Sequence, residues 1–186
     1  MALTFKDFLI RDWQQRDRTP AANVIKTVLE EYGLGWEAGS SCCGGADQDA
    51  VEVEKYYLEA GGEFWVVERG REIVGTGGYY PIERGQNAVE IRKMYLLPAA
   101  RGYGLGRYLL TALEQAAAQK GFEQAWLETA TSLKEAVRLY ERNGYLPMTG
   151  VETERCDKVY CKAIAPNSTP VSTPVSTPVS TPVSST

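Results

Sequence analysis

A chain of 186 residues, 44% of them hydrophobic, is long enough for one domain with a real core plus a tail, and no apolar run approaches the ~20 residues of a membrane span. The formal net charge is −4 without a basic block, so nothing points to a nucleic-acid surface, and the mild acidity is compatible with a cationic or amine partner. Histidine is absent, which excludes a Ser-His-Asp or Cys-His hydrolase, a His-ligated metal centre and a histidine general base.

The four cysteines, Cys42, Cys43, Cys156 and Cys161, form no CxxC pair, so no metal is expected. Cys42 and Cys43 read as loop residues, with a redox or acyl-carrying role as the alternative. The start, Met1 to Asp7, has the layout of neither a secretion signal nor a transit peptide, and a cytoplasmic protein is expected.

In chain order, residues 5–11 are expected to form a first strand. Thr19-Pro20 opens a helix with proline at its first position, and Val24, Ile25, Val28 and Leu29 recur at helical spacing up to about Tyr32. Residues 33–46 read as a long polar loop. Asp47 or Asp49 then caps a second helix reaching about Ala60, where Gly61-Gly62 stops it. Residues 63–68 and 72–80 form two strands around a hairpin turn at Arg69-Gly70-Arg71. A strand from Ala88 to Leu97 leads through a glycine-rich turn into a helix from Gly104 to Lys120. The strand 124–129, a helix from Ser132 to Asn143 and the strands 145–148 and 158–163 complete a folded domain of residues 1–165. From Ser168 the quartet Ser-Thr-Pro-Val repeats four times, and residues 166–186 read as a disordered, partly polyproline-II tail.

The turn Arg101-Gly102-Tyr103-Gly104-Leu105-Gly106 is the most informative stretch. Its alternate glycines strip Cβ atoms from the place where a helix begins, and where unpartnered N–H groups carry the positive end of the helix dipole. Dinucleotide and kinase turns need GxGxxG, but counted from Gly102 the last position is Arg107; a P-loop GxxxxGK[ST] is also absent. A phosphate cradle and a merely tight strand-to-helix turn both stay open on these residues alone.

The wider pattern is strand, Leu96-x-Pro98, the turn Arg101 to Gly106, long helix, strand, then Leu139-Tyr140-Glu141-Arg142-Asn143-Gly144-Tyr145. It resembles the GNAT superfamily of acetyl-CoA-dependent N-acetyltransferases over about residues 5–163. The resemblance implies an α/β (α+β) fold: a mixed, mostly antiparallel twisted sheet, splayed between its fourth and fifth strands and flanked by about four helices. Acetyl-CoA would lie in the gap as co-substrate. The element order itself speaks against a doubly wound sheet, because three strands run consecutively without crossover helices.

Carried over by that resemblance, the backbone of Gly102, Gly104, Leu105, Gly106 and Arg107, within a turn that includes Arg101 and Tyr103, would hold the CoA pyrophosphate. The edge of the fourth strand at Met94 and Leu96 would bond the pantetheine arm, with a bulge aiming the Met94 amide at the thioester carbonyl. Tyr140 would donate to the departing sulfur. A tyrosine of pKa ~10 facing a thiolate of pKa ~8.5 is uphill by roughly 2 kcal/mol, so it serves as a hydrogen-bond donor more than as a strong acid. Glu90 would act as general base. It stands four strand residues from Met94, about 13 Å of rise, so it would work through ordered water. Glu128 and Thr129 are near-site alternatives. Many members carry an asparagine seven residues before the tyrosine; here Leu133 takes that place, and Ser132 is left to cap the helix and meet CoA.

The acceptor end would be built from Trp36, Glu37, the 39–46 loop, Tyr79, Tyr80 and the segment 149–157. The expected activity is direct acetyl transfer to a primary amine within a ternary complex, the amine belonging to a small molecule or amino acid, or to a protein lysine or N-terminus. No histidine is available to activate a covalent cysteine route. The protein is expected to act as a monomer or homodimer without nucleic-acid or membrane partners. The rival is a catalytically silent acyl-CoA-binding or interaction module that uses the proline-rich tail for docking.

Overall fold

The computed structural model describes residues 1–38 and 45–165. The stretch 39–44, with Cys42 and Cys43, and the tail 166–186 lie outside the described residues. Among the described residues eight strands form one sheet: β1 (Ala2–Phe5), β2 (Phe8–Asp12), β3 (Glu63–Arg69), β4 (Glu72–Ile82), β5 (Ala88–Leu96), β6 (Gln124–Thr129), β7 (Leu146–Met148) and β8 (Lys158–Ala163). Their spatial order is β1-β2-β3-β4-β5-β6-β8-β7, antiparallel throughout except for the parallel pair β5 and β6.

The expected single strand over residues 5–11 is a hairpin instead. Phe5 pairs with Phe8 across Lys6 and Asp7, and Lys6 takes a positive φ of 55°. Two-residue hairpin turns usually announce themselves with Asn-Gly or Gly, and this one does not.

Helix α1 (Arg18–Glu31) extends a short 3-10 turn at Gln15–Asp17, so Pro20 is its third residue and not its first. The expected long helix from Asp47 to Ala60 is broken into α2 (Gln48–Val51) and a π-helical turn at Glu54–Leu58. Arg18 from α1 donates to the Val51 carbonyl and pairs with Glu54 at 2.6 Å, which draws backbone out of the helical ladder at the break. Helix α3 (Leu105–Gln119) and helix α4 (Lys134–Arg142) follow the expected order, α4 starting two residues later than Ser132.

Strand alternation feeds two cores on the two faces of the sheet. Phe64 and Val66 join Ile25 and Leu29 of α1 and Tyr57 on one face. Trp65 and Val67 join Leu105, Leu109 and Leu113 of α3 on the other. Each such fully buried side chain contributes about 1.5–3 kcal/mol of transfer free energy. No helix among the described residues is long and apolar enough to cross a membrane.

The sheet splits where β5 meets β6. Ala88, Val89 and Glu90 pair with Gln124, Ala125 and Trp126, and the register ends there, while β5 runs on to Leu96. On its other side β5 carries a bulge: Tyr95 faces Thr76 and Arg92 faces Gly78, so Lys93 and Met94 together oppose Gly77. A bulge bends its strand, here at the level where β5 and β6 have parted.

Candidate active site

At the mouth of the split, Gly102, Tyr103 and Gly104 are exposed and Leu105 is buried. Gly102 and Gly104 have φ of 81° and 85°, a left-handed backbone that side chains other than glycine's rarely adopt. Gly104 is the N-cap of α3 with no side-chain cap, so the amides of the first turn of α3 have no intrahelical acceptors. Those donors, the dipole and the missing Cβ atoms form a cradle suited to an anion.

Arg101 turns away from the cradle. Its guanidinium grips Glu31 of α1 with two bonds of 2.7 Å, and its Nε donates to the Leu96 carbonyl at 2.9 Å. It therefore ties the end of β5 to α1. Tyr103 lays its ring against Phe8, 5.4 Å between centroids, and its carbonyl accepts from Lys6.

Along β5, Leu97 donates to Val74, so in the alternating antiparallel pattern the N–H and C=O of Leu96 face away from β4. Arg101 occupies that carbonyl and leaves the amide facing the gap. At the bulge, the Lys93 carbonyl accepts the buried Thr76 hydroxyl at 2.7 Å. A trans peptide carries its N–H opposite its C=O, and the described chain contains no cis peptide. The Met94 amide therefore points away from β4, toward the gap.

Tyr140 on α4 is 6% exposed and stands near Tyr145 and Tyr160. Burial, reinforced by Tyr95 and the Cys156 thiol, pushes its hydroxyl well above the usual range, so it stays protonated. Cys156 was not singled out by the sequence as a site residue, yet its thiol acts electrostatically on Tyr140 and Tyr95, and it feels the charges of Glu128, Arg155, Arg92 and Glu90. Burial pushes that thiol up to about 11.

A cavity of about 290 Å³ is lined by Asp49, Tyr56, Tyr80, Arg92, Glu152 and Glu154, among others. Glu90 sits behind it, its carboxylate accepting from the Tyr80 hydroxyl at 3.2 Å with Arg92 at 4.0 Å. Burial, aided by Glu128 and Asp49, outweighs the Arg92 charge and raises the Glu90 pKa above the ordinary carboxylate range. Burial likewise pushes Tyr80 up to about 12.

The walls of this cavity are held by an ionic network that sequence reasoning missed. Asp47, wholly buried, accepts both Arg155 guanidinium nitrogens at 2.7 and 2.5 Å, the Lys93 ammonium at 2.7 Å and the Glu37 amide at 3.0 Å. Burial alone would raise the Asp47 pKa; Arg155 and Lys93 reverse that and hold it far below the usual range. Asp49 pairs with Lys93 at 3.1 Å and accepts the Tyr57 hydroxyl at 2.9 Å. Neither aspartate caps α2 with its side chain in the expected way: Asp47 is the N-cap residue, without a side-chain cap bond. The available signal was the cluster Glu90, Arg92 and Lys93 inside a strand whose other residues are apolar or aromatic, a charge pattern that needs partners.

Other expected site residues are placed elsewhere. Tyr79 alternates with Tyr80 and points into the α3-side core, fully buried. Trp36 packs against the α1-side core. Glu128 receives the amides of Glu152 and Thr153 at 2.8 Å, and although burial opposes it, these bonds hold its carboxyl below the usual range. It anchors the 149–157 segment to β6. Thr129 is buried and accepts the Asp157 amide through its carbonyl. Ser132 is exposed and does not cap α4, whose N-cap is Leu133.

Fold and cleft define a split sheet with a backbone cradle after β5 and a small acidic cavity lined in part by β5. The model of the acetyltransferase (GNAT) family matches residues 26–145. The chain is 42% identical over 132 residues to the uncharacterized N-acetyltransferase YjgM of Escherichia coli (strain K12), covering 70% of this chain and 77% of that protein. Of the vertebrate N-acetyltransferases that it also matches, it spans 44–52%. A GNAT-family acetyltransferase from Staphylococcus aureus Mu50 shares the fold with a TM-score of 0.73 at 18% identity, over 84% of this chain and 98% of that one. So does spermidine N-acetyltransferase from Vibrio cholerae, solved with CoA and spermine, with a TM-score of 0.62 at 15% identity over 86% and 97%. The chain belongs to the GNAT family and is an acetyl-CoA-dependent acyltransferase.

Proposed function

We propose that the protein transfers acetyl from acetyl-CoA to a small primary amine by direct attack in a ternary complex. The observation that carries this reading is the bulge at Lys93 and Met94, where a fixed peptide turns an amide into the gap between β5 and β6. The CoA pyrophosphate would rest on the amides from Gly102 to Arg107, and the pantetheine arm along β5 at Met94 and Leu96. The Met94 N–H would donate to the thioester oxygen and stabilise the charge that develops there. Tyr140, kept protonated, would donate to the leaving sulfur.

The incoming amine must shed a proton to attack. A group of pKa ~10.4 is neutral in only about one molecule per few thousand at pH 7. Glu90, reached through Tyr80 or water, would accept that proton, and its raised pKa makes it a better base than an ordinary carboxylate. Direct transfer is favoured over an acetyl-cysteine because a Cys156 thiol pushed up to about 11 is not a thiolate at neutral pH.

Within the buried network Arg92, Lys93 and Arg155 balance Asp47, Asp49 and Glu90. At the rim Glu152 shares Arg84 with Glu128, and Glu154 enters no ion pair among the described residues. This surplus of negative charge around about 290 Å³ suits a small cationic amine. The amine bound by the Vibrio cholerae neighbour, spermine, is of that kind. Cytoplasmic residence belongs to the same reading, supported by the free thiols of Cys156 and Cys161. So does a folded unit of residues 1–165 acting as a monomer or homodimer.

The test is Glu90→Gln, followed by free-thiol release across pH. We expect activity at neutral pH to fall on the order of 100-fold and to recover partly at high pH, where the amine loses its proton unaided. A loss independent of pH would remove the base assignment. Stability should move the other way. A carboxyl whose folded pKa is raised favours the folded chain when protonated, and that contribution disappears as pH rises through the folded value. Glu90→Gln should therefore raise the melting temperature at neutral pH and leave it nearly unchanged at acid pH.

A further inference from the structure

Lys93 is the residue on which the two halves of the cleft meet. It takes a positive φ of 52°, uncommon for a residue with a Cβ, and it does so within the bulge whose next amide, Met94, faces the gap. Its side chain leaves the donor half. The ammonium, 1% exposed, reaches Asp47 at 2.7 Å, Asp49 at 3.1 Å and the Ala46 carbonyl at 2.9 Å, all on the acceptor side. Asp47 is in turn clasped by Arg155 from the 149–157 segment and by the Glu37 amide from the segment after α1. One carboxylate thus joins two acceptor-side segments to the residue that orients the Met94 amide. On the opposite flank Thr76 fixes the Lys93 carbonyl.

We propose that Asp47 is a positioning residue: by holding Lys93 in its left-handed conformation, it sets the Lys93–Met94 peptide so that the Met94 amide meets the thioester oxygen. This rests on the acetyl-transfer reading above. Asp47 touches neither thioester nor amine; it acts through Lys93. The arrangement makes the oxyanion donor a product of acceptor-side packing. The glycine cradle, at the far end of the donor, is built independently of Asp47.

The test follows the Met94 amide by heteronuclear NMR in the full chain, with CoA and with acetyl-CoA. Two variants are compared with wild type. Lys93→Gly tolerates the positive φ and leaves Asp47 paired with Arg155 and Asp49 with Arg92, so both buried carboxylates keep a cation while the latch is gone. Asp47→Asn removes the charge; should it fail to fold, Lys93→Gly decides. In wild type, acetyl-CoA should move the Met94 amide proton downfield relative to CoA, because only acetyl-CoA presents the carbonyl. In the variants that difference should vanish while CoA affinity stays within about threefold, and kcat should fall on the order of 10-fold or more with little change in the KM for acetyl-CoA. A merely structural Asp47 would leave the difference in place. If the difference persists in the folded variants, the proposal is overturned. If wild type binds both ligands without any difference, the oxyanion role of Met94 and the proposal fall together. Binding of neither ligand would overturn the acetyl-transfer reading beneath both.

Discussion

Between Arg101 and Gly106 the protein offers backbone: two exposed glycines with positive φ, a helix start without a side-chain cap, and amides free to meet an anion. Around the cavity beyond β5 it offers side chains: Asp47, Asp49, Arg92, Lys93 and Arg155, drawn from three segments and buried in mutual ion pairs. A backbone cradle can be reshaped without unfolding the domain, because Gly102 and Gly104 stand at the surface. The ionic wall resists such change, since removing one member costs its partners part of their pairing away from water. On the proposed function, recognition of the donor would be separable from stability, while recognition of the acceptor would be entangled with it.

Four substitutions would break or sharpen this contrast, from the largest expected effect to the smallest. Arg155→Met leaves Asp47 short of its bidentate partner and should cost about 3 kcal/mol in chemical denaturation, with acetyl-CoA affinity of the folded protein unchanged. Tyr140→Phe should lower kcat on the order of 100-fold where chemistry limits the rate, leaving acetyl-CoA affinity intact; full turnover would remove its role at the sulfur. Gly104→Ala forces a Cβ into a φ of 85° beside the cradle, and calorimetry should read a loss of about tenfold in acetyl-CoA affinity with about 1 kcal/mol lost in stability. Glu154→Gln, at an exposed rim, should raise the KM for a cationic amine by only about twofold, an effect that high salt erases.

The same contrast explains what could be read from the sequence. The donor half is local: strand, turn and helix start lie between Met94 and Arg107, and Tyr140 to Tyr145 supplies a second compact motif, so spacing alone carries the resemblance. The acceptor half is non-local. Asp47 and Lys93 are 46 residues apart, Asp47 and Arg155 are 108 apart, and no spacing rule joins them. Asp47 and Asp49 therefore read as ordinary helix caps, although their carboxylates are committed to Lys93, Arg155 and Tyr57. Tyr79 and Tyr80 could not be told apart until the strand's facing was known. The β1–β2 hairpin escaped because Lys6-Asp7 turns without glycine or asparagine. The break after Val51 escaped because its cause, Arg18, lies on another helix.

The activity proposed for the split sheet is delivery of acetyl from CoA to an amine. Its most direct test is free-thiol release by the purified full chain, given acetyl-CoA and a panel of small cationic primary amines, alongside calorimetric titration with acetyl-CoA alone. Saturable acetyl-CoA binding and thiol release that depends on the amine are expected. No acetyl-CoA binding at millimolar concentration would contradict that activity outright, and binding without thiol release on any amine would favour a silent acyl-CoA-binding module.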